Sequence, residues 1–261
     1  MKILGSIALA LVVVFLFYTC AEYGNSEEYS NKTNDYKNYT YANQQSQNYQ
    51  SDYNEETESV NYVMSDNRVN TWVDSININR AQTIIEIKNN GDTNLYLSSG
   101  SYDLESYTTG DLVAAVGYAE VYPQVLAPGE KGYMYGVHSL DSPTDDKLIA
   151  VPHFDIEKAK VELVRFPVSE VSIKEDSYGR IKVIGRVKNT SNEKQGYINI
   201  VAFLYDNEGT CIGLLDTITL TDINAGEQTG FELSETFLPD DVNLESIADY
   251  VVYAYPTQYQ F

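Results

Sequence analysis

Two stretches of this chain repeat one another about 100 residues apart, and that repeat limits the fold more than any other feature. Ile85-Glu-Ile-Lys-Asn89 is followed by a polar turn, a strand-like run, Tyr102-Asp103, Gly110 and Leu126-Ala-Pro-Gly-Glu130. The second copy reads Gly185-Arg-Val-Lys-Asn189, a polar turn, a strand-like run, Tyr205-Asp206, Gly209 and Asn224-Ala-Gly-Glu227. Lys88 and Lys188 are 100 positions apart, and Gly129 and Gly226 are 97 apart. Between these marks the apolar runs are short, β-branched or aromatic, and bounded by Asn, Asp, Gly and Pro, with no amphipathic helical stretch. Each half ends in an apolar run expected to be its closing strand, VELVRF at 161–166 and YVVYAY at 250–255. A repeat of this length holding several strands predicts an all-β protein made of two tandem β-sandwiches, at 68–166 and 167–261, with a seam near Pro167.

Ahead of the repeat, Lys2 precedes an almost unbroken apolar run from Ile3 to Tyr18, the outline of a secretion signal over residues 1–20. The run is short of the roughly 20 residues that span a bilayer. It ends at Cys20, directly followed by polar chain, and in this it resembles the lipobox of bacterial lipoproteins. That resemblance implies a diacylglycerol group on the Cys20 thiol and a lipid anchor in the membrane. Phe17 and Thr19 stand where the family prefers a leucine-like and a small residue. Simple secretion with cleavage after Ala21 and an uncleaved short anchor are the competing readings, and all three place the rest of the chain outside the cytoplasm. Residues 21–67 are rich in Asn, Gln, Ser, Tyr and Glu and nearly free of aliphatic side chains. Such composition lacks the apolar surface to offset chain ordering and predicts a disordered spacer. Its eight tyrosines follow no helical or alternating period.

In the second repeat, GRVKNTSNEKQGYINIVAFLYDNEGTCIG with its AGE turn is similar to the FxLYD domain, a small immunoglobulin-like β-sandwich of bacterial secreted proteins and lipoproteins. Leu204, Tyr205 and Asp206 match the naming motif, whose Phe position holds Ala202. The likeness covers about 170–255 well and 70–165 weakly, the first unit keeping only Tyr102-Asp103 of the motif. It implies tandem immunoglobulin-like sandwiches forming a surface module of unspecified function without catalytic residues; displayed on such a tether, their strand edges and loops are expected to contact a protein or glycan partner in the envelope. Locally, Asp206-Asn207-Glu208-Gly209 reads as a hairpin turn that ends a strand at Tyr205, since Asp bonds its own backbone and Gly supplies a positive φ.

Chemistry-bearing patterns are sparse. The chain carries 38 acidic and 17 basic side chains, a net charge of −21, which repels nucleic acid and anionic lipid alike. Cys211 has no neighbouring histidine and reads as a packing residue. Ser191-Asn192-Glu193-Lys194 matches a serine–lysine motif by letter but lies in an Asn-rich turn. His138 and His153 share no ligand spacing, Asp141, Asp145 and Asp146 read as a solvated loop, and no cofactor or metal motif occurs. Paired carboxylates in a cleft, the signature of a hydrolase, are the less favoured catalytic reading. Basic residues cluster at one place: alternation puts Arg180, Lys182, Arg186 and Lys188 on one face of a strand and Ile181, Val183 and Val187 on the other. That stripe either grips an anionic wall polymer or pairs across strands with acidic neighbours. The sequence thus reads as a non-catalytic surface protein displaying two modules, with an interdomain solute or polymer site near Pro167 as the alternative.

Overall fold

The computed structural model describes residues 60–219, 221–234 and 238–257. The signal segment, Cys20 and the spacer up to residue 59 lie outside the described residues. The described chain is all-β, fifteen strands in four antiparallel sheets. No helix among these residues is long and apolar enough to cross a membrane.

The first half is built on a six-stranded sheet in the order β1 (Tyr62–Val73), β2 (Asn79–Asn89), β7 (Lys131–Ser139), β5 (Leu112–Tyr122), β4 (Gly100–Ser106) and β8 (Leu148–His153). Strand β1 begins at Tyr62, so the expected spacer boundary at residue 67 is too late: Tyr62 to Asn67 pair with Asn89 to Ile85. The sheet curls until its end strands meet. At a bulge after Ser65, the Asn67 side chain donates from Nδ2 to the Ala150 carbonyl and accepts the Ala150 N–H at 3.2 Å. An asparagine amide thus supplies the ladder rung that two backbones at that separation do not make. A small sheet of β6 (Val125–Leu126), β3 (Leu95–Leu97) and β9 (Ile156–Lys158) covers the interior. Leu95, Leu97 and Leu126 join Ile85, Ile87, Tyr102, Leu104 and Met134 in one core.

The second half is a sandwich. One sheet has the order β10 (Val168–Glu175), β11 (Ile181–Lys188), β14 (Gln228–Ser234), and the other β13 (Cys211–Ile218), β12 (Ile198–Tyr205), β15 (Asp249–Pro256). Val183, Val187 and Leu233 face Ile198, Ile200, Ala202 and Leu204 across its core.

The repeat is visible as shared hydrogen bonds. Asn89 and Asn189 are both fully buried. Nδ2 of Asn89 donates to the carbonyls of Thr93 at 2.8 Å and Leu126 at 3.1 Å, while Oδ1 accepts the Gly91 N–H at 2.9 Å. Asn189 makes the same three bonds, to Glu193 at 2.8 Å, Ile223 at 2.9 Å and Ser191 N–H at 2.9 Å. Each asparagine also clamps the turn of the second repeat mark. Gly129 N–H donates to Asn89 O and Gly226 N–H to Asn189 O, both at 2.8 Å, with φ of 81° and 79° at the glycines. The Tyr-Asp pairs, in contrast, are not equivalent. Tyr205 ends β12 and Asp206 caps the expected turn, its Oδ1 accepting the N–H groups of Glu208 and Thr210. Tyr102 is buried in the middle of β4 and Asp103 pairs with His153 at 3.0 Å. The true counterparts of the Asp206 turn are those at Asp74 and Asp176, which cap their hairpins through the same two-bond pattern.

The seam differs most from expectation. Residues 161–166 form no strand; among the described residues, Phe166 alone of this run makes a backbone–backbone bond, its N–H donating to Ala254 O at 2.8 Å. The alternation in this run is real but serves two cores. Val161 and Leu163 pack into a cluster shared by both halves, and Val164 and Phe166 into the second-half core. The shared cluster joins Ile84, Tyr133 and Tyr135 of β2 and β7 to Val201, Phe203, Cys211, Leu214 and Tyr255 of β12, β13 and β15. Tyr133 and Phe203 rings lie 4.8 Å apart. Every residue from Ala81 to Ile87 is buried because β2 is covered on both faces, and β12 is covered in the same way. Side chains of both halves thus pack against one another beside the seam.

Candidate functional site

Beyond its bulge, strand β1 turns the Arg68, Asn70 and Trp72 side chains to the face of the sheet that carries Ile84 and Gln82, toward the second half. Arg68 donates from Nη2 to the Cys211 carbonyl, and Asn70 Nδ2 donates to Gln82 Oε1 at 2.8 Å. Gln82 is fully buried and spends its own amide N–H groups on Tyr135 Oη at 3.3 Å and the Ile212 carbonyl at 3.4 Å. The bond to a carbonyl fixes the Gln82 amide orientation, so Asn70 must present its nitrogen, and its oxygen accepts no hydrogen bond among the described residues. Two residues on, Trp72 faces the same way. Here the two halves separate, and an open cleft of about 430 Å³ lies between Val69, Asn70, Thr71 and Trp72 on one wall and Pro239, Asp240 and Asp241 on the other.

The walls are held by ordinary fold chemistry. β1 is fixed by continuous pairing with β2 from Asn67 to Val73. On the opposite side Pro239 is buried, Val242 N–H donates to Pro239 O at 2.9 Å, and Leu238 and Val242 pack into the second-half core. Asp240 and Asp241 remain exposed, with no side-chain hydrogen bond or ion pair among the described residues. Trp72, the single tryptophan of the chain, is half-buried and stacks on no other ring there. Both carboxylates come from one loop, and the facing wall offers no acid, so the arrangement lacks the opposed pair of a glycoside hydrolase.

Tyrosines fill the neighbouring junction. Tyr133 Oη donates to Glu86 Oε2 at 3.1 Å and lies 3.3 Å from Tyr205 Oη; Glu86 also accepts from Lys131 Nζ at 2.8 Å and Ser65 Oγ at 3.0 Å. Burial pushes the Tyr133 phenol far above its usual range, with the Tyr205 hydrogen bond adding to it, and raises Tyr205 to about 12. Arg165 donates to Val125 O at 2.7 Å and Glu130 Oε2 at 3.1 Å, with its guanidinium 5.2 Å from the Tyr253 ring centre.

The basic stripe is laid out as its alternation predicts, with Ile181, Val183 and Val187 buried behind it. Arg180 holds Asp176 through two bonds at 2.9 and 2.7 Å, which draws that carboxyl down to about 2. Lys182 meets Glu232 at 2.5 Å and Arg186 meets Glu170 at 2.8 Å. Lys188 is exposed, with no ion-pair partner among the described residues. Three of the four charges are thus matched by neighbours, so the stripe offers an anionic polymer little free charge.

Other candidates resolve into structure. Cys211 is buried at the start of β13. His138 and His153 lie at the ends of β7 and β8; Tyr102 Oη lies 3.2 Å from His138 Nδ1, and burial holds that imidazole below its usual range. Asp146 ties its loop by accepting from Ser106 Oγ and, at 2.7 Å, Thr108 Oγ1. Ser191 serves the Asn189 turn, its Oγ donating to Asn189 Oδ1 at 2.7 Å. Among the described residues no three His, Cys, Asp or Glu side chains gather as a metal ion requires. Sequence reasoning passed over Trp72. The only available signal was a lone tryptophan in a polar context, and its facing wall lies about 170 positions away.

Against protein-family models and curated protein sequences, the chain matches none.

Proposed function

We propose that this chain is a non-catalytic binding protein of the cell envelope, anchored through a lipid on Cys20 and displaying two FxLYD-like, immunoglobulin-like sandwiches at the end of its polar N-terminal segment. The observation that carries the binding role is the Trp72 cleft. It is concave, it is formed jointly by both halves, and it combines an unstacked indole with free polar groups. An aromatic wall of this kind contributes apolar contact area at little conformational cost, while the free carboxylates and amide give orientation. The shared core beneath it fixes one wall relative to the other, so the cleft is formed before a ligand arrives.

Display is tested by metabolic labelling with an alkynyl fatty acid and by protease treatment of intact cells. The wild-type chain takes up label and its folded part is cut or shed from outside, whereas Cys20→Ala loses the label. A label retained in Cys20→Ala overturns lipid anchoring at that residue.

A further inference from the structure

We infer that the Trp72 cleft recognises an arginine-bearing segment of a partner polypeptide, a deepening that rests on the binding role proposed above. Three features of the cleft point to a cation. Asp240 and Asp241 are exposed carboxylates without a side-chain partner among the described residues, and no basic residue lines the cleft. The Asn70 amide nitrogen is committed to Gln82, which leaves its oxygen as a third acceptor. The indole of Trp72 supplies an electron-rich face with no cation on it among the described residues; Arg80, across the ladder from Trp72, is held by Asp74 at 2.8 Å.

An organic cation on an apolar stem satisfies all of these at once. Its charge meets the carboxylates, its N–H groups meet the acceptors, and its stem lies beside Pro239. Guanidinium fits better than ammonium. It is planar, so it stacks on an indole, and its fork of donors can serve a carboxylate and an amide oxygen together. The net charge of −21 adds a long-range field that gathers basic segments and repels acidic ones. An open cleft, as opposed to an enclosed pocket, suits a side chain carried on an extended backbone, which enters and leaves along its length.

The test uses the full-length chain in neutral detergent micelles, with Trp72 as a built-in reporter because it is the only tryptophan. Tetra-arginine amide should shift Trp72 emission saturably, more tightly than tetra-lysine amide, and with an affinity that falls as salt rises. Asp240→Asn with Asp241→Asn should weaken binding roughly three- to tenfold. Trp72→Leu, followed by anisotropy of labelled peptide, should weaken it roughly two- to fivefold. Glu193→Gln with Glu227→Gln removes the same charge at the other end of β14 and should leave binding unchanged. Equal loss in that control means general attraction to an acidic protein, and overturns the inference. Saturable Trp72 response to chitotetraose or to a glucosamine tetramer, with none to tetra-arginine, also overturns it but leaves the cleft as a glycan site. No response to any of these probes removes both the arginine assignment and the binding role of the cleft, while the Cys20 labelling result stands independently.

Discussion

Truncating Phe203 tests whether the two halves behave as one body. Phe203 is fully buried and belongs to β12, yet its ring lies 4.8 Å from Tyr133 of the first half and 5.8 Å from Tyr253 of the second. Phe203→Ala should cost about 3–5 kcal/mol, from lost apolar burial and the cavity left behind. The aromatic contacts with Tyr133 and Tyr253 are part of that loss, at about 0.5–1.5 kcal/mol each. A cost of about 4 kcal/mol corresponds to a change of roughly a thousandfold in the opening equilibrium. Hydrogen exchange followed by mass spectrometry reads this strand by strand. β4 and β11 lie in different cores, one in each half. If the shared cluster makes unfolding cooperative, amides of β4 and β11 both speed up by a comparable factor in Phe203→Ala. If β11 amides accelerate while β4 amides keep their wild-type rates, the halves open separately and the argument for one cooperative body fails.

Two further outcomes follow from named groups. Asn189→Ala removes the three side-chain bonds to Glu193 O, Ile223 O and the Ser191 N–H and so frees the turn, at about 1 kcal/mol each, so a loss of about 2–4 kcal/mol in urea unfolding is expected, and a similar one for Asn89→Ala at the equivalent site; a loss under 1 kcal/mol at both would show that the repeated asparagine is not a structural clamp. The junction phenols predict alkaline instability: Tyr133 and Tyr205 have folded pKa values raised above the unfolded value near 10, so their contribution is intact below that pH and is lost as pH rises from about 10 through about 12, where Tyr205 titrates. Absorbance titration of tyrosinate with parallel circular dichroism checks this, and phenols of both residues ionising near pH 10 without loss of structure would contradict it.

Much of the architecture is written locally. A run such as INIVAFLY at 198–205 is a strand because β-branched and aromatic residues fill it. Asp206-Asn-Glu-Gly209 is a turn because Asp bonds its own backbone and Gly accepts a φ of 76°. The repeated Asn89 and Asn189 marks were readable for the same reason: each clamp uses residues within a short reach of the asparagine plus one returning turn. The Tyr-Asp pairs show the limit of that reading. Two letters recurred at the repeat distance, but one pair ended a strand and the other sat inside one, since register depends on partners and not on identity. Residues 161–166 show it again, where alternation that suits a strand instead serves two different cores.

The sequence alone determined the all-β class, the turns and the internal repeat, because hydrophobic period, turn chemistry and caps act over a few neighbouring residues. It also determined that Arg180, Lys182 and Arg186 share a face, although only the structure set Asp176, Glu232 and Glu170 beside them. Tertiary structure decided that the outer faces of β2, β7 and β12 meet, since a buried face looks the same in sequence whichever layer covers it. Polar Gln82 and Glu86 even disguised that burial, their charges and amides being satisfied by partners far along the chain. It likewise brought Trp72 opposite Asp240 and Asp241, a juxtaposition made by the packing of two halves and carried by no local pattern.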